Sequence, residues 1–244
     1  QIAFFGGSTG YNGNPPIPNL IEKNLNEIID VKSYNFSSVS SNHNQHIHRL
    51  IKHSNLKFDI IIFYGGFNET LQTYFYDPRP TYPFNFWVRN ELDNLKYLLL
   101  KYSSILSEYE FSTDDFSGLK KIKKDVNFKS DEWLDNLIEN YYLTLKKAKK
   151  ISENAIESNA CDKTKFFAFY QPFSIKRADG FTKKIMNETK SFFKNKEILI
   201  DFSELVSEND FTDLSHVNQA AKNVISSEIF KVIFPHITQE CKLN

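Results

Sequence analysis

The stretch FFGGSTGYNG, residues 4 to 13, ends an apolar run in two glycines, a serine, a threonine and a further glycine. Only 8 glycines occur in 244 residues, so the grouping of Gly6, Gly7, Gly10 and Gly13 is a local signal. A dinucleotide cradle needs G-x-G-x-x-G, and this spacing does not fit it. A P-loop ends in G-K-[ST], and no such tripeptide is present. A nucleophile elbow needs G-x-S-x-G, which Gly6-Gly7-Ser8-Thr9-Gly10 matches literally. Small neighbours there let a serine hydroxyl stand exposed on a tight strand-to-helix turn. In α/β-hydrolases that elbow follows several strands, whereas this serine is residue 8. On this loop alone, a plain turn and a catalytic serine stand level.

A nucleophilic serine needs a base, and the base needs an acid to orient it. Of 6 histidines, His43, His46, His48 and His53 crowd one helical stretch, and His236 follows Pro235 near the end of the chain. His216 lies in FTDLSHVN, just before the last helix, with Asp213 three residues earlier. That spacing lets one short loop present an imidazole and hold its far nitrogen with a carboxylate. Helix punctuation by Asp213 is the bland alternative.

These residues need strands and helices to carry them. Strands are expected at Ile2–Phe5, near Val31–Phe36, at FDIIIFYGG, at KFFAFYQP and at EILIDFS. Helices are expected over about Ile17–Ile28, Asn44–His53, Ala178–Lys194 and Val217–Val232. Ile47, Leu50 and Ile51 form the apolar face of the second helix. FDIIIFYGG is a continuous apolar run closed by two glycines, as in a strand buried on both faces. Strands alternating with helices imply an α/β fold with a mainly parallel sheet and helices on both sides. Such sheets place their sites at the carboxyl ends of the strands. Residues 70–160 break this rhythm. They read as a mostly helical insertion, with helices near 86–109 and 131–157, inside a single domain of residues 1–244.

In this setting the chain resembles the SGNH hydrolase superfamily, the GDSL-type lipases, esterases and acyltransferases, through four short blocks in order. The first is Gly6-Gly7-Ser8 after the first strand, with Gly7 where Asp is usual, as in GGST members. The second is NFSSVSSN, in which Ser40 stands in the place of a glycine. The third is Gly66-Phe67-Asn68-Glu69, with Glu where Asp is usual. The fourth is Asp213 and His216. The resemblance covers both ends of the chain and not residues 70–160. It implies a three-layer α/β/α, flavodoxin-like domain around a five-stranded sheet. It also implies a Ser8–His216–Asp213 triad and an oxyanion hole made by the Ser8 and Ser40 N–H groups and the Asn68 amide. A backbone donor survives the Gly-to-Ser exchange at position 40 only where the local φ/ψ suits a residue with a Cβ. No metal or cofactor is implied. The expected reaction is removal of an acyl group, an O-acetyl group on a carbohydrate being the favoured case. The alternatives are an O-acyltransferase acting on a glycan through the same triad, and an inactive SGNH-like binding domain.

Other features bound the partners. Lys+Arg and Asp+Glu are both 30, a balance that points neither to nucleic acid nor to an acidic membrane surface. No apolar run reaches the roughly 18 to 20 residues of a membrane-spanning helix. The expected partner is a small-molecule or glycan acyl ester, with the oligomeric state open. The chain begins on a strand without Met and is read as trimmed there, which leaves cytoplasmic and exported locations both open. Gly66, Phe67 and Arg79 are the expected substrate contacts, beside an aromatic stretch from Tyr74 to Trp87. The four clustered histidines lack a neighbouring carboxylate in sequence and read as a solvated helix face rather than a metal site. Cys161 and Cys241 read as free thiols.

Overall fold

The computed structural model describes residues 1–72 and 131–241. Five strands form one all-parallel sheet: β1 (Ile2–Gly6), β2 (Ser33–Asn35), β3 (Ile60–Gly65), β4 (Lys165–Tyr170) and β5 (Ile200–Asp201), in the order β2-β1-β3-β4-β5. The helices are α1 (Ser8–Tyr11), α2 (Ile17–Asn26), α3 (His43–Lys52), α4 (Asp131–Ala155), α5 (Gly180–Phe193) and α6 (Gln219–Glu240). The order reverses between β1 and β3, the switch point at which open α/β sheets leave a crevice beyond their strand ends. The α/β, flavodoxin-like class expected from the sequence is the one observed.

Alternation along the strands divides the interior in two. Ala3, Phe5, Ile61, Phe63, Phe166, Ala168 and Tyr170 face one side, against Leu50 of α3, the Leu134–Ala148 stripe of α4, and Ile185 and Met186 of α5. Ile2, Phe4, Ile60, Ile62, Tyr64 and Phe169 face the other, against Ile17, Ile21 and Leu25 of α2 and the isoleucines of α6. Every residue of β1 and β3 is buried, which is why FDIIIFYGG carries no polar alternation.

Several elements depart from expectation. β2 and β5 are shorter than the runs that suggested them, as befits strands at the two sheet edges. Helix α6 continues past Val232 and through Pro235 to Glu240. Proline removes one helical N–H, yet Ile225, Ile229, Ile233 and Ile237 make an unbroken buried stripe that packing holds in place. On α3, Leu50 is buried but Ile51 is exposed. The expected helix near 86–109 lies outside the described residues.

The cysteines are also corrected: Cys161 and Cys241 form a disulfide. They lie 80 residues apart in sequence. The Asp59 carboxylate accepts the Asn159, Ala160 and Cys161 N–H groups and the Ser158 hydroxyl. It thereby shapes a turn that brings Cys161 beside the end of α6, where the two residues pair as an isolated bridge.

Ile229 is fully buried and Val224 is 45% exposed on the same helix. Ile229→Ala is expected to lower unfolding free energy by about 2–5 kcal/mol, and Val224→Ala by no more than about 0.5 kcal/mol. Urea titration of both variants checks this.

Candidate active site

Five chain segments meet above the carboxyl ends of β1 and β3. Gly7 follows β1 and precedes the single turn of α1, which begins at Ser8. Asp213 and His216 come from the loop between β5 and α6, where a bridge pairs Phe211 with Val217 and the Thr212 N–H donates to the His216 carbonyl. That hairpin-like loop brings residues 8 and 216 into contact. His216 Nε2 lies 2.7 Å from Ser8 Oγ, and His216 Nδ1 lies 2.7 Å from Asp213 Oδ2. The other carboxylate oxygen, Asp213 Oδ1, accepts the Ser215 and His216 N–H groups, each at 2.8 Å. Burial raises the Asp213 pKa, but these two N–H donors and the imidazole outweigh it and hold the carboxyl below its ordinary value. An ionised Asp213 accepts from Nδ1–H, so Nε2 keeps its lone pair toward the serine.

The loop is fixed by a neighbour that sequence reading missed. Arg177, in the segment after β4, donates from its guanidinium to the Phe211 and Thr212 carbonyls at 2.8 and 2.7 Å. The Ser174 N–H donates to the Leu214 carbonyl, and Glu208 accepts from the Ser174 hydroxyl and the Ile175 and Lys176 N–H groups. Nothing in the local spacing of Arg177 marks it, because its partners lie 34 and 35 residues away.

The segment after β2 places Ser40. Its N–H has no hydrogen-bond partner among the described residues, and neither does that of Ser8. Ser40 has φ +56°, the only positive φ of a non-glycine among the described residues. The left-handed region costs a residue with a Cβ about 1–2 kcal/mol and glycine nothing, so this is a glycine-type position occupied by serine. The flanking loop is well anchored. Asn42 caps α3 in a reciprocal capping box with Gln45. Arg49 donates to the Phe36 carbonyl at 2.7 Å and to Ser38 Oγ at 2.6 Å.

The turn after β3 places Asn68. Its Nδ2 donates to the Ser41 carbonyl at 2.7 Å and packs against Gly7, where a Cβ would collide with it. Gly66 adopts φ +127° beneath the Tyr170 ring. Phe67 is partly buried, its ring 6.0 Å from that of Phe173, so it lines the packed side of this turn. Arg79 and the Tyr74–Trp87 stretch lie outside the described residues.

His43 and His46 are not a solvated face. Both are fully buried, and a carboxylate does stand beside them. Glu69 Oε1 accepts the His43 N–H at 2.9 Å and Oε2 accepts the Gly66 N–H at 2.6 Å. His43 Nδ1 lies 3.0 Å from His46 Nδ1 and 3.1 Å from Glu69 Oε1, and His46 Nε2 lies 2.9 Å from Ser41 Oγ. The three donor groups come within 4.8 Å of one another, a spacing a metal ion can bridge. Protons alone satisfy them as well. His43 Nε2 has no partner, so its proton belongs on Nδ1, which donates to His46 Nδ1, and His46 Nε2–H donates to Ser41 Oγ. A Nδ1-bound cation would instead leave His43 Nε2–H as a buried orphan donor, the costlier arrangement. The carboxylate partner was hidden from the sequence because 26 residues separate Glu69 from His43.

No protein-family model matches the chain, and no curated protein sequence matches it. Solved structures do. A lipolytic protein of the G-D-S-L family from Veillonella parvula DSM 2008 is 12% identical, with 96% of this chain and 97% of that chain covered at a TM-score of 0.51. An acetylxylan esterase from Geobacillus stearothermophilus is 11% identical, with 95% and 93% covered and a TM-score of 0.50. At these identities the likeness is one of fold, extended over nearly the whole of each chain.

Burial holds the His43 pKa below 6.5 against the pull of Glu69, and holds that of His46 well below 6.5 with help from His43 and Arg49. The unfolded chain therefore takes up protons near pH 6.5 that the folded chain refuses. Stability is complete above that pH and declines as pH falls through it, by about 1.4 kcal/mol per pH unit for each histidine that stays neutral. Melting temperature is expected to fall between about pH 7 and pH 5, and to fall less steeply in His46→Gln. Calorimetric scans across that range check both slopes.

Proposed function

We propose that this chain is an SGNH-type serine ester hydrolase acting on an acyl ester. We read residues 1–244 as one such unit with residues 70–160 inserted in it. The observation that carries the reading is the contact between His216 Nε2 and Ser8 Oγ, 2.7 Å long and bridging 208 residues of sequence, with Asp213 on the other ring nitrogen. A structural turn gives no reason for an imidazole to be oriented by a carboxylate and aimed at a serine hydroxyl.

In the reaction, Ser8 Oγ attacks the ester carbonyl carbon and its proton passes to His216 Nε2. Asp213 stabilises the resulting imidazolium. The carbonyl oxygen becomes an oxyanion, received by the Ser8 and Ser40 N–H groups and the Asn68 amide. Collapse breaks the bond to the alcohol, which leaves with the proton from His216. Water then repeats the sequence on the acyl-Ser8, returning the acid and free enzyme. The likeness in fold to an acetylxylan esterase supports a small acyl group on a carbohydrate as the natural ester.

Hydrolysis of p-nitrophenyl acetate and of acetylated xylo-oligosaccharides tests this. Wild type is expected to turn over both, with Ser8→Ala at background and Asp213→Asn lowered on the order of 10³–10⁴-fold in kcat. A fluorophosphonate should label wild type at Ser8 and leave Ser8→Ala unlabelled, as read by mass spectrometry. Equal rates and equal labelling in the two proteins would overturn the assignment.

A further inference from the structure

We propose that Glu69, His43, His46 and Ser41 form a buried hydrogen-bonded ring that positions two of the oxyanion donors, the Ser40 N–H and the Asn68 amide. The inference rests on the ester-hydrolase reading above and adds residues to it. All four are buried and none belongs to the groups assigned to the reacting atoms, so they act as positioning residues.

The ring can be traced atom by atom. Glu69 binds the Gly66 N–H with one oxygen and the His43 N–H with the other. That ties the turn bearing Asn68 to the first residue of α3. His43 Nδ1 donates to His46 Nδ1 one helical turn on, and His46 Nε2 donates to Ser41 Oγ. The Ser41 hydroxyl donates to the Ser38 carbonyl at 2.8 Å and accepts from Ser38 Oγ at 2.9 Å. The Ser41 carbonyl accepts from Asn68 Nδ2 at 2.7 Å and returns the path to the turn where it began. Ser41 is 4% exposed, both histidines 0%, and Asn68 and Glu69 8% each.

Burial gives these bonds their directional force. Hydrogen bonds strengthen in a low dielectric, and a buried donor without a partner costs about 1–3 kcal/mol. The assignment traced above leaves no donor stranded, and it ties the loop after β2 to the turn after β3 through both Glu69 and Asn68. Ser40 adjoins Ser41 in the former and Asn68 belongs to the latter. Ser40 is also held in the left-handed region against its own preference, and something must oppose its relaxation. The hydrogen bonds of Ser41 to Ser38, His46 and Asn68 do so.

The test uses Ser41→Ala and Glu69→Gln, with Thr164→Val as the control. Ser41→Ala keeps the carbonyl that holds Asn68 and removes the hydroxyl that receives His46. Glu69→Gln keeps shape but replaces one acceptor oxygen with an NH₂ that faces another N–H. Thr164 is buried and bonds the Phe58 and Ile156 carbonyls at the opposite end of the sheet. All three are assayed by p-nitrophenyl acetate hydrolysis at a temperature where circular dichroism shows them folded. An ångström of donor displacement is worth about 10²-fold. Ser41→Ala and Glu69→Gln should therefore lose about 10- to 100-fold in kcat with KM within about twofold, and Glu69→Asp should recover part of the Glu69→Gln loss. Thr164→Val should lower melting temperature and leave kcat unchanged. If wild type shows Ser8-dependent turnover and the two ring variants lose melting temperature but not kcat, the ring is structural only and this inference is overturned alone. If wild type shows no Ser8-dependent turnover, the ester-hydrolase reading fails and takes the inference with it.

Discussion

The parallel pairing of β1 with β3 sets Gly6 opposite Tyr64, so the two strands end at nearly the same level. Both are buried on both faces and cannot slip without carrying alternate large residues into the wrong layer. Because the strand order reverses here, the chain leaves β1 and β3 toward opposite sides and a crevice opens between them. Ser8 and Asn68 sit at its edges. The remaining parts reach this crevice from farther away: Ser40 from the adjoining strand β2, His216 and Asp213 from the loop before α6.

Close packing at the crevice explains two sequence features that look like losses when compared with the SGNH pattern. Position 7 carries glycine where Asp is usual, and here the Asn68 amide occupies the space a Cβ would need. The glycine is what permits Asn68 to lie against the serine turn. Position 69 carries Glu where Asp is usual, and its added methylene accompanies a longer reach. One carboxylate spans from the Gly66 N–H to the His43 N–H on a different element. Gly66 itself has no alternative, since it holds a positive φ under the face of Tyr170.

Two carboxylates thus serve one site in different ways, and their surroundings decide which does what. Asp213 stays partly open to solvent on a hairpin-like loop and aligns a half-exposed imidazole. Glu69 is buried and accepts two backbone N–H groups directly, beside two histidines kept neutral by desolvation. The first arrangement leaves the His216 ring open to solvent beside Ser8. The second is suited to rigidity, because its members are buried and hydrogen-bonded to one another.

The sequence by itself determined the layer architecture and the carboxyl ends of β1 and β3. Continuous apolar runs closed by glycines and helical stripes of period near four depend only on neighbours along the chain, and so does the strand–Gly–Ser turn. The D-x-x-H spacing likewise brought Asp213 and His216 onto one loop before any fold was known. The pairing of His216 with Ser8 was implied by the SGNH resemblance and not by spacing, while tertiary structure alone decided that His43 and His46 turn inward to Glu69, that Arg177 clamps the His216 loop, and that Cys161 bonds Cys241. Each of these partnerships spans tens to hundreds of residues, and a side chain's type says nothing about which distant group the sheet will bring to it. The four histidines show the difference most plainly. Their spacing on α3 was readable, but whether that face met solvent or a carboxylate depended on how β3 ended and where its turn laid Glu69.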